Sequence, residues 1–393
     1  MDSLFILGRQ SALSLAELES IYGADKIRPI ADAAAVVKIE PHEVRFARLG
    51  GMVKFCKILT TLDTTSWGGI HKFLVDVTPD HAASLPEGKL RLGLSVYGLK
   101  TNPKEVMATG LELKKHIRKS GRSVRLVPNK ELDLNSAQVL HNQLTGKLGW
   151  ELVFMRDGNK TIVAQSIAVQ DIERYAARDQ QRPYRDSKVG MLPPKLAQII
   201  INLSLGTQSP EETITLLDPF CGTGVILQEA LLMGTSAIGT DLDERMVEYS
   251  QKNMTWLQEK ADYPGQLMSV KQGDATSHKW DPLPDVVAAE TFLGRPLSSA
   301  PSTEVLKKII QDCDTIHTKF LKNIARQTQP GFRMCIAIPA WKTRNSFAYL
   351  PVLDSLEKLG YNRIKFVHAK ERDLIYHRPD QFVARELVVL ERK

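Results

Sequence analysis

Between Leu216 and Leu231 the sequence reads LLDPFCGTGVILQEAL: an apolar strand closed by an acid, a glycine loop, and the first turns of a helix. Gly222 and Gly224 allow the backbone to approach a ligand closely, and a helix beginning near Val225 offers free N–H groups at that point. The surroundings repeat this strand-to-helix rhythm. A helical stretch, KLAQIIINLSL, is followed by ITLLDPF, SAIGTDLD, LMSVKQGDA, PDVVAAE and FRMCIAIPA, each leading into a loop and, where sequence allows, a helix. Such alternation predicts an α/β, Rossmann-like domain over residues 191–393, with an open, mostly parallel sheet covered on both faces. The tail from Tyr361 to Arg392 instead predicts two neighbouring strands joined by a loop, too short for a crossover helix, and hence an antiparallel C-terminal strand.

The preceding half has a different texture. Short apolar runs (FILG, AAAVVKIE, MVKFCKILTTL) surround a helical stretch, SALSLAELESIYG, expected to be capped at Ser11 or at Ser14, with Glu17 three residues after Ser14. KLRLGLSVYGL reads as a strand, and NPKEVMATGLELKKHIRKSG as a helix with Val106, Gly110, Leu113 and Ile117 along one face. SVRLVPNK and WELVFMRDGNKTIVAQSIAVQ add strands, with a turn at Asp157-Gly158. This is an α+β region. RDQQRPYRDSK, polar and interrupted by Pro183, predicts a solvated linker. A chain of 393 residues exceeds one typical core, and the expected boundaries are 1–65, 66–172, a linker at 173–190, and 191–393.

Fifty-two Lys plus Arg against forty-five Asp plus Glu leave a formal charge of +7, which permits a polyanionic partner without requiring one. Cys56, Cys221, Cys313 and Cys335 form no CxxC pair, so neither a metal site nor a disulfide framework is expected. The opening MDSLFILGRQ lacks a basic region and a cleavage site, and no apolar run reaches the roughly 18 residues of a membrane helix, so a cytoplasmic protein is expected.

Chemistry concentrates at the strand ends. Asp218 closes the first strand of the α/β region, Asp241 the second and Asp274 the third. In an open sheet of this kind, acids there face a ligand lying across the carboxyl edge. Asp218 suits an ammonium, Asp241 a pair of ribose hydroxyls, and Asp274 an adenine amino group; with Phe220, Gly222, Gly224, Leu242 and Ala275 they form the expected site for S-adenosyl-L-methionine. A dinucleotide-binding loop is the competing assignment, but G-x-G-x-x-G would need a glycine where Leu227 stands. A single such Asp is more often a helix or turn cap, whereas three at successive strand ends favour a ligand. Cys221 as a nucleophile is disfavoured by its place inside the glycine loop.

DPFCGTG, GTDLD and QGDA resemble the amino-group methyltransferases of nucleic-acid bases. Together with RDQQRPYRDSKVGMLPPKLAQIIINL, LNSAQVLHNQL and LIYHRPDQFVARELVVL, they make most of the chain similar to the THUMP-domain tRNA guanine-N2 methyltransferases that act on guanosine 10. The likeness is weakest over the first 60 residues. It implies a class I methyltransferase domain preceded by ferredoxin-like and THUMP modules, tRNA as the partner, and, for some relatives, a small activator subunit. The basic residues then take on a use. Lys114, Lys115, Arg118, Lys119 and Arg122, with Arg178, Arg182 and Arg185 of the linker, are expected to meet RNA phosphates, although each alone reads as a solvated cation.

One motif departs from that family. Its acid-Pro-Pro-aromatic sequence should follow the fourth strand, where this chain has Glu290, Thr291, Phe292 and Leu293. Glu290 is expected as the catalytic carboxylate, the Thr291 carbonyl as a second acceptor, and Phe292 as the ring that stacks on the base. Gly294 and Pro296 suggest a fixed turn. The same reaction at a rebuilt site, methylation of another atom or of DNA, and tRNA binding without turnover all remain open readings of the sequence.

Overall fold

A computed structural model describes residues 2–84, 86–186, 192–208, 214–295, 297, 301–344, 346–379 and 381–393. The chain divides into two compact units. One comprises Met1–Ser11, Lys26–Ala47 and Met52–Arg174, and the other Ala12–Asp25, Arg48–Gly51 and Tyr175–Lys393. Among the described residues no helix is long and apolar enough to cross a membrane.

The first unit is built on β1 (Ser3–Leu7), β2 (Ile27–Ile30), β3 (Ala34–Val37), β4 (Met52–Leu62), β5 (Leu90–Tyr97), β6 (Val124–Leu126), β7 (Gly149–Asp157) and β8 (Lys160–Val169). Their order is β2-β3-β1-β4-β8-β7-β5-β6. The stretches expected as two successive modules thus share one sheet, joined where β4 pairs antiparallel with β8 from Lys54 to Leu62. Helix α1 (Ser11–Tyr22) runs almost wholly in the second unit, whereas α2 (Trp67–Ser84), α3 (Pro103–Lys119) and α4 (Ser136–His141) belong to the first. α2, with Pro79 inside it, escaped the sequence reading. α3 follows it: Val106, Gly110, Leu113 and Ile117 are buried, and Asn102 caps the helix by accepting from Lys104 and Glu105 N–H.

A charged knot lies inside this sheet. The fully buried Lys54 donates to Glu151 Oε1 (2.5 Å) and to the Leu134 carbonyl (2.6 Å), while Ser166 donates to Glu151 Oε2 (2.6 Å). A buried ion pair survives only when such extra bonds satisfy its remaining atoms. Here they pin Leu134, the first residue of LNSAQVLHNQL, just before the Asn135–Gln138 capping box that opens α4.

The second unit carries α5's last turns (the helix spans Ile172–Gln180), α6 (Pro194–Leu205), α7 (Val225–Met233), α8 (Glu244–Lys260) and α9 (Thr303–Ala325). Its strands are β9 (Thr215–Asp218), β10 (Ser236–Asp241), β11 (Leu267–Gln272), β12 (Val286–Glu290), β13 (Arg333–Lys342), β14 (Phe347–Ala348), β15 (Tyr361–Arg363), β16 (Ile375–Tyr376) and β17 (Val383–Arg392). The order β11-β10-β9-β12-β13-β17-β15 is parallel from β11 to β13 and antiparallel at β17, as expected. The tail differs in detail, since two short strands, β15 and β16, both pair with β17. The chain moves outward from β9 to β11 and then returns to place β12 on the other side of β9. That reversal opens a crevice at the carboxyl ends of β9 and β12, the place where open α/β sheets bind ligands.

Two sequence expectations change here. Ser14 and Glu17 do not cap α1. Ser14 Oγ donates to the Gly51 carbonyl (2.7 Å), and Glu17 accepts from Gly50 N–H (2.9 Å), Gly51 N–H (2.8 Å) and Asn202 Nδ2 (2.7 Å). α1 also contributes Leu13 and Ala16 to the apolar layer of α6 and α7, so its cap-like spacing instead reflects a buried face. The segment read as a solvated linker is largely packed in its described part. Arg178 Nε donates to the buried Glu229 (2.9 Å), Arg182 is 3% exposed, the Tyr184 ring lies 4.8 Å from that of Tyr249, and Arg245 pairs with Asp186 at 3.1 Å. Glu229 on α7 needs a cation in its buried setting, and the supposed linker supplies it. Residues 187–190, including Lys188, and the boundary at 190/191 lie outside the described residues.

Candidate active site

The glycine loop forms as its sequence requires. Gly224 has φ +84°, and a Cβ there would lie 2.5 Å from Ser250 Oγ, so only glycine lets the chain turn into α7 against α8. The loop is tied to its neighbours by Cys221 N–H donating to the Thr240 carbonyl (2.9 Å) and by Gly222 N–H donating to Asp241 Oδ2 (2.8 Å). A cavity of about 810 Å³ opens above it, within the size range of small-molecule sites.

That cavity gathers the residues the sequence singled out. Asp218, Phe220, Gly222, Asp241, Leu242, Asp274, Ala275, Glu290, Thr291 and Phe292 all line it. Gly224 does not; it shapes the loop from behind as the residue that caps the N-terminus of α7. The acids are set by backbone bonds. Asp218 Oδ1 accepts from Phe220 N–H (3.1 Å), Asp241 Oδ1 from Asp243 N–H (3.0 Å), and Asp274 Oδ1 from Thr276 N–H (2.8 Å). The turn-capping role weighed for these acids is therefore real, yet each carboxylate oxygen keeps a second lone pair for a ligand. Leu242 is 68% exposed beside Asp241, an apolar platform suited to a flat heterocycle.

Electrostatically the cavity favours a cation. Burial pushes the Asp218 carboxyl well above the usual carboxylate range, with Asp241 and Glu290 pushing the same way against the Phe220 N–H. Burial likewise raises Asp241, aided by Asp243 and opposed by the N–H groups of Asp243 and Gly222. Closely spaced acids that resist ionisation are relieved by a positively charged ligand. The Cys221 thiol, raised well above its ordinary value by burial and then by Asp218, is no thiolate nucleophile.

At the end of β12, Glu290 Oε1 accepts from Arg385 Nε on β17. The Thr291 hydroxyl is 2.7 Å from His317 Nε2, and His317 Nδ1 is 2.7 Å from the Cys313 carbonyl. Burial drives His317 down to about 4, so it is neutral at ordinary pH. A carbonyl can only accept, so Nδ1 carries the proton and Nε2 is an acceptor, and the single Thr291 hydroxyl hydrogen is shared between it and the Ala337 carbonyl at 3.0 Å. The Thr291 side chain thus anchors the loop from below. Phe292 is 40% exposed, and Gly294 turns the chain at φ +88°, as its position suggested; Pro296 lies outside the described residues.

Several contributors were missed by sequence reasoning. Asn253 on α8 donates to the carbonyls of Thr223 (2.8 Å) and Tyr184 (2.9 Å) and accepts from Tyr184 N–H (3.0 Å), tying the packed segment before α6 to the glycine loop. Asn323 on α9 donates to the carbonyls of Ala275 (3.0 Å) and His278 (2.9 Å), holding the turn after Asp274. A signal existed, because both are amides on the buried faces of their helices. Arg385 could have been suspected as a charge inside the apolar run VARELVVL.

The basic residues behave in two ways. Leu111, Lys114, Lys115, Arg118 and Lys119 share one face of α3, around a shallow depression of the first unit. Arg122 instead donates to the carbonyls of Ala82 and Pro86 at the end of α2. Arg178 and Arg182 are turned into the second unit, and Arg185 is exposed.

Comparison with known proteins agrees with this geometry. Residues 182–354 match the UPF0020 family model, described as an RMKL-like methyltransferase domain. A curated tRNA (guanine(10)-N2)-dimethyltransferase from Methanothermobacter thermautotrophicus is 31% identical over 182 residues, 46% of this chain and 48% of that protein. Its namesake from Pyrococcus abyssi is 32% identical over 192 residues, 49% of this chain and 48% of that one. The chain spans about half the length of the curated relatives it matches. Among solved structures, TrmN from Thermus thermophilus aligns over 100% of both chains with a TM-score of 0.51 at 17% identity, a likeness of fold. The second unit has the fold of class I methyltransferases, as its strand order and motifs anticipated.

Proposed function

We propose that this chain is a cytoplasmic S-adenosyl-L-methionine-dependent tRNA methyltransferase that modifies the exocyclic N2 of a guanosine, with the 10 position as the type. The observation that carries this reading is the convergence of Asp218, Asp241, Asp274 and Glu290, from the ends of four neighbouring strands, on one cavity. The names of the curated relatives supply the substrate class.

When bound, S-adenosyl-L-methionine supplies a methyl group made electrophilic by its sulfonium. Asp218 receives the ammonium of the amino-acid end, Asp241 the ribose hydroxyls, and Asp274 with Ala275 the adenine edge, while Leu242 packs on the ring. Phe292 stacks on the guanine base. Glu290 and the Thr291 carbonyl accept the amino hydrogens of a nitrogen whose lone pair is otherwise delocalised into the ring. Charge building on that nitrogen would thereby be stabilised where it develops as the nitrogen takes the methyl group, and Glu290 would take up the amino proton that is released. Lys114, Lys115, Arg118 and Lys119, with Arg185, meet tRNA phosphates.

The test is methyl transfer by the full chain from labelled S-adenosyl-L-methionine to unmodified tRNA, followed by mass spectrometry of the nucleosides. The reading requires an N2-methylated guanosine, loss of transfer in Glu290→Ala, and preference for tRNA over duplex DNA in competition. Saturable tRNA binding with no release of S-adenosylhomocysteine would instead establish a binding protein.

A further inference from the structure

We infer that Arg385 is the positioning residue for the Glu290 carboxylate; this rests on the proposed methyl transfer. The register of the sheet sets up the contact. Glu290 on β12 lies opposite Ala337 on β13, Ala337 lies opposite Leu387 on β17, and Pro339, two residues along the same face, lies opposite Arg385. Arg385 therefore stands on the same face as Glu290 with one strand between them. The intervening side chain at 337 is a methyl group, and the guanidinium reaches across it to donate from Nε to Glu290 Oε1.

The arrangement is selective. Arg385 is 5% exposed and does not line the cavity, whereas Glu290 does. The adjacent acid on β17, Glu386, is taken by Arg363 at 2.8 Å, so Glu290 is the carboxylate that Arg385 pairs with among the described residues. The remaining guanidinium contact, from an Nη to Gln381 Oε1, is long at 3.5 Å. The pairing is through one oxygen and not the two-pronged fork that arginine commonly makes. Oε1 is held from behind, and Oε2 is left for a ligand in the cavity.

This answers a geometric difficulty. A glutamate carries one more rotatable bond than an aspartate, and a reacting group misplaced by about 1 Å costs on the order of a hundredfold in rate. A buried arginine fixing one oxygen removes that freedom. Arg385 touches neither substrate nor cofactor and acts through Glu290.

The test uses the full chain with Arg385→Met, Arg385→Lys, Glu290→Gln and the Arg385→Met/Glu290→Gln double variant. Arg385→Met should lose between about tenfold and a hundredfold in kcat, with KM for tRNA and affinity for S-adenosylhomocysteine within about twofold of wild type. Arg385→Lys should recover part of the rate, and the double variant should be no slower than Glu290→Gln alone. In the unliganded chain, Arg385→Met should lower the thermal midpoint more in the wild-type background than beside Glu290→Gln, a coupling that needs no turnover. Undiminished kcat in Arg385→Met, or rate losses that multiply in the double variant, would overturn the assignment. A wild-type chain that binds S-adenosylhomocysteine but methylates no tRNA removes both the functional reading and this role; normal wild-type turnover beside a fully active Arg385→Met removes this role alone.

Discussion

Replacing Glu17 by glutamine tests whether α1 is structurally part of the second unit. Glu17 is fully buried among N–H donors from Gly50, Gly51 and Asn202, yet burial outweighs them and pushes its carboxyl up to about 7. The folded chain therefore keeps a proton on Glu17 that the unfolded chain has already released at its ordinary value. The stabilisation from this group is fully present below about pH 4.5 and is lost as pH rises towards 7. The gap between 4.5 and about 7, at about 1.4 kcal/mol for each pH unit, is worth about 3 kcal/mol. Burial also raises Asp218, Asp241, Glu229 and Glu386, and these titrate alike in both proteins, so the difference between wild type and Glu17→Gln isolates one group. Urea unfolding followed by tryptophan fluorescence at pH 5, 6, 7 and 8 supplies the numbers. The advantage of wild type over Glu17→Gln should shrink by about 2 to 3 kcal/mol between pH 5 and 8. Parallel stability curves for the two proteins would refute the reasoning and detach α1 from the second unit's energetics.

Three other outcomes are expected. Because Asp218 and Asp241 hold protons more tightly than ordinary carboxylates without a ligand, binding of a cationic ligand should strengthen as pH rises above the ordinary carboxylate range and release protons. Calorimetry in buffers of different ionisation heat measures this, and Asp218→Asn should flatten it. Asn253→Ala removes three bonds between Tyr184, Thr223 and α8 and should cost about 2 to 4 kcal/mol in thermal denaturation, with a parallel loss of S-adenosylhomocysteine affinity. Exchanging Lys114, Lys115, Arg118 and Lys119 for glutamine should weaken tRNA binding and flatten its log–log salt dependence by about 3, read by filter binding across a salt series.

What was legible in the sequence was local. The glycine loop, the strand-end acids and the buried face of α3 each depend on residues within a few positions of one another, and each formed as its spacing implied. Long-range pairing was not legible. Arg178 and Arg182 look like solvated charges in a polar run, and only Glu229, buried on α7 some fifty residues away, turns Arg178 inward. The Ser14-x-x-Glu17 spacing is the same in a capping box and on a helix face that binds a distant loop; the partners at Gly50 and Gly51 decide between them. Glu290 was singled out by its place at the fourth strand, but its partner comes from the chain's final strand, and only the sheet register brings Arg385 beside it. The shared eight-stranded sheet was hidden for the same reason, since β4 and β8 are about a hundred residues apart.

The central claim is that carboxylates at successive strand ends form a binding site for S-adenosyl-L-methionine. Titration calorimetry of the full chain with S-adenosylhomocysteine addresses it directly, with Asp241→Ala as the comparison. One saturable site in the wild type, weakened at least tenfold in the variant, is the predicted result. A wild-type chain that gives no saturable heat, or a variant that binds as tightly as wild type, contradicts it.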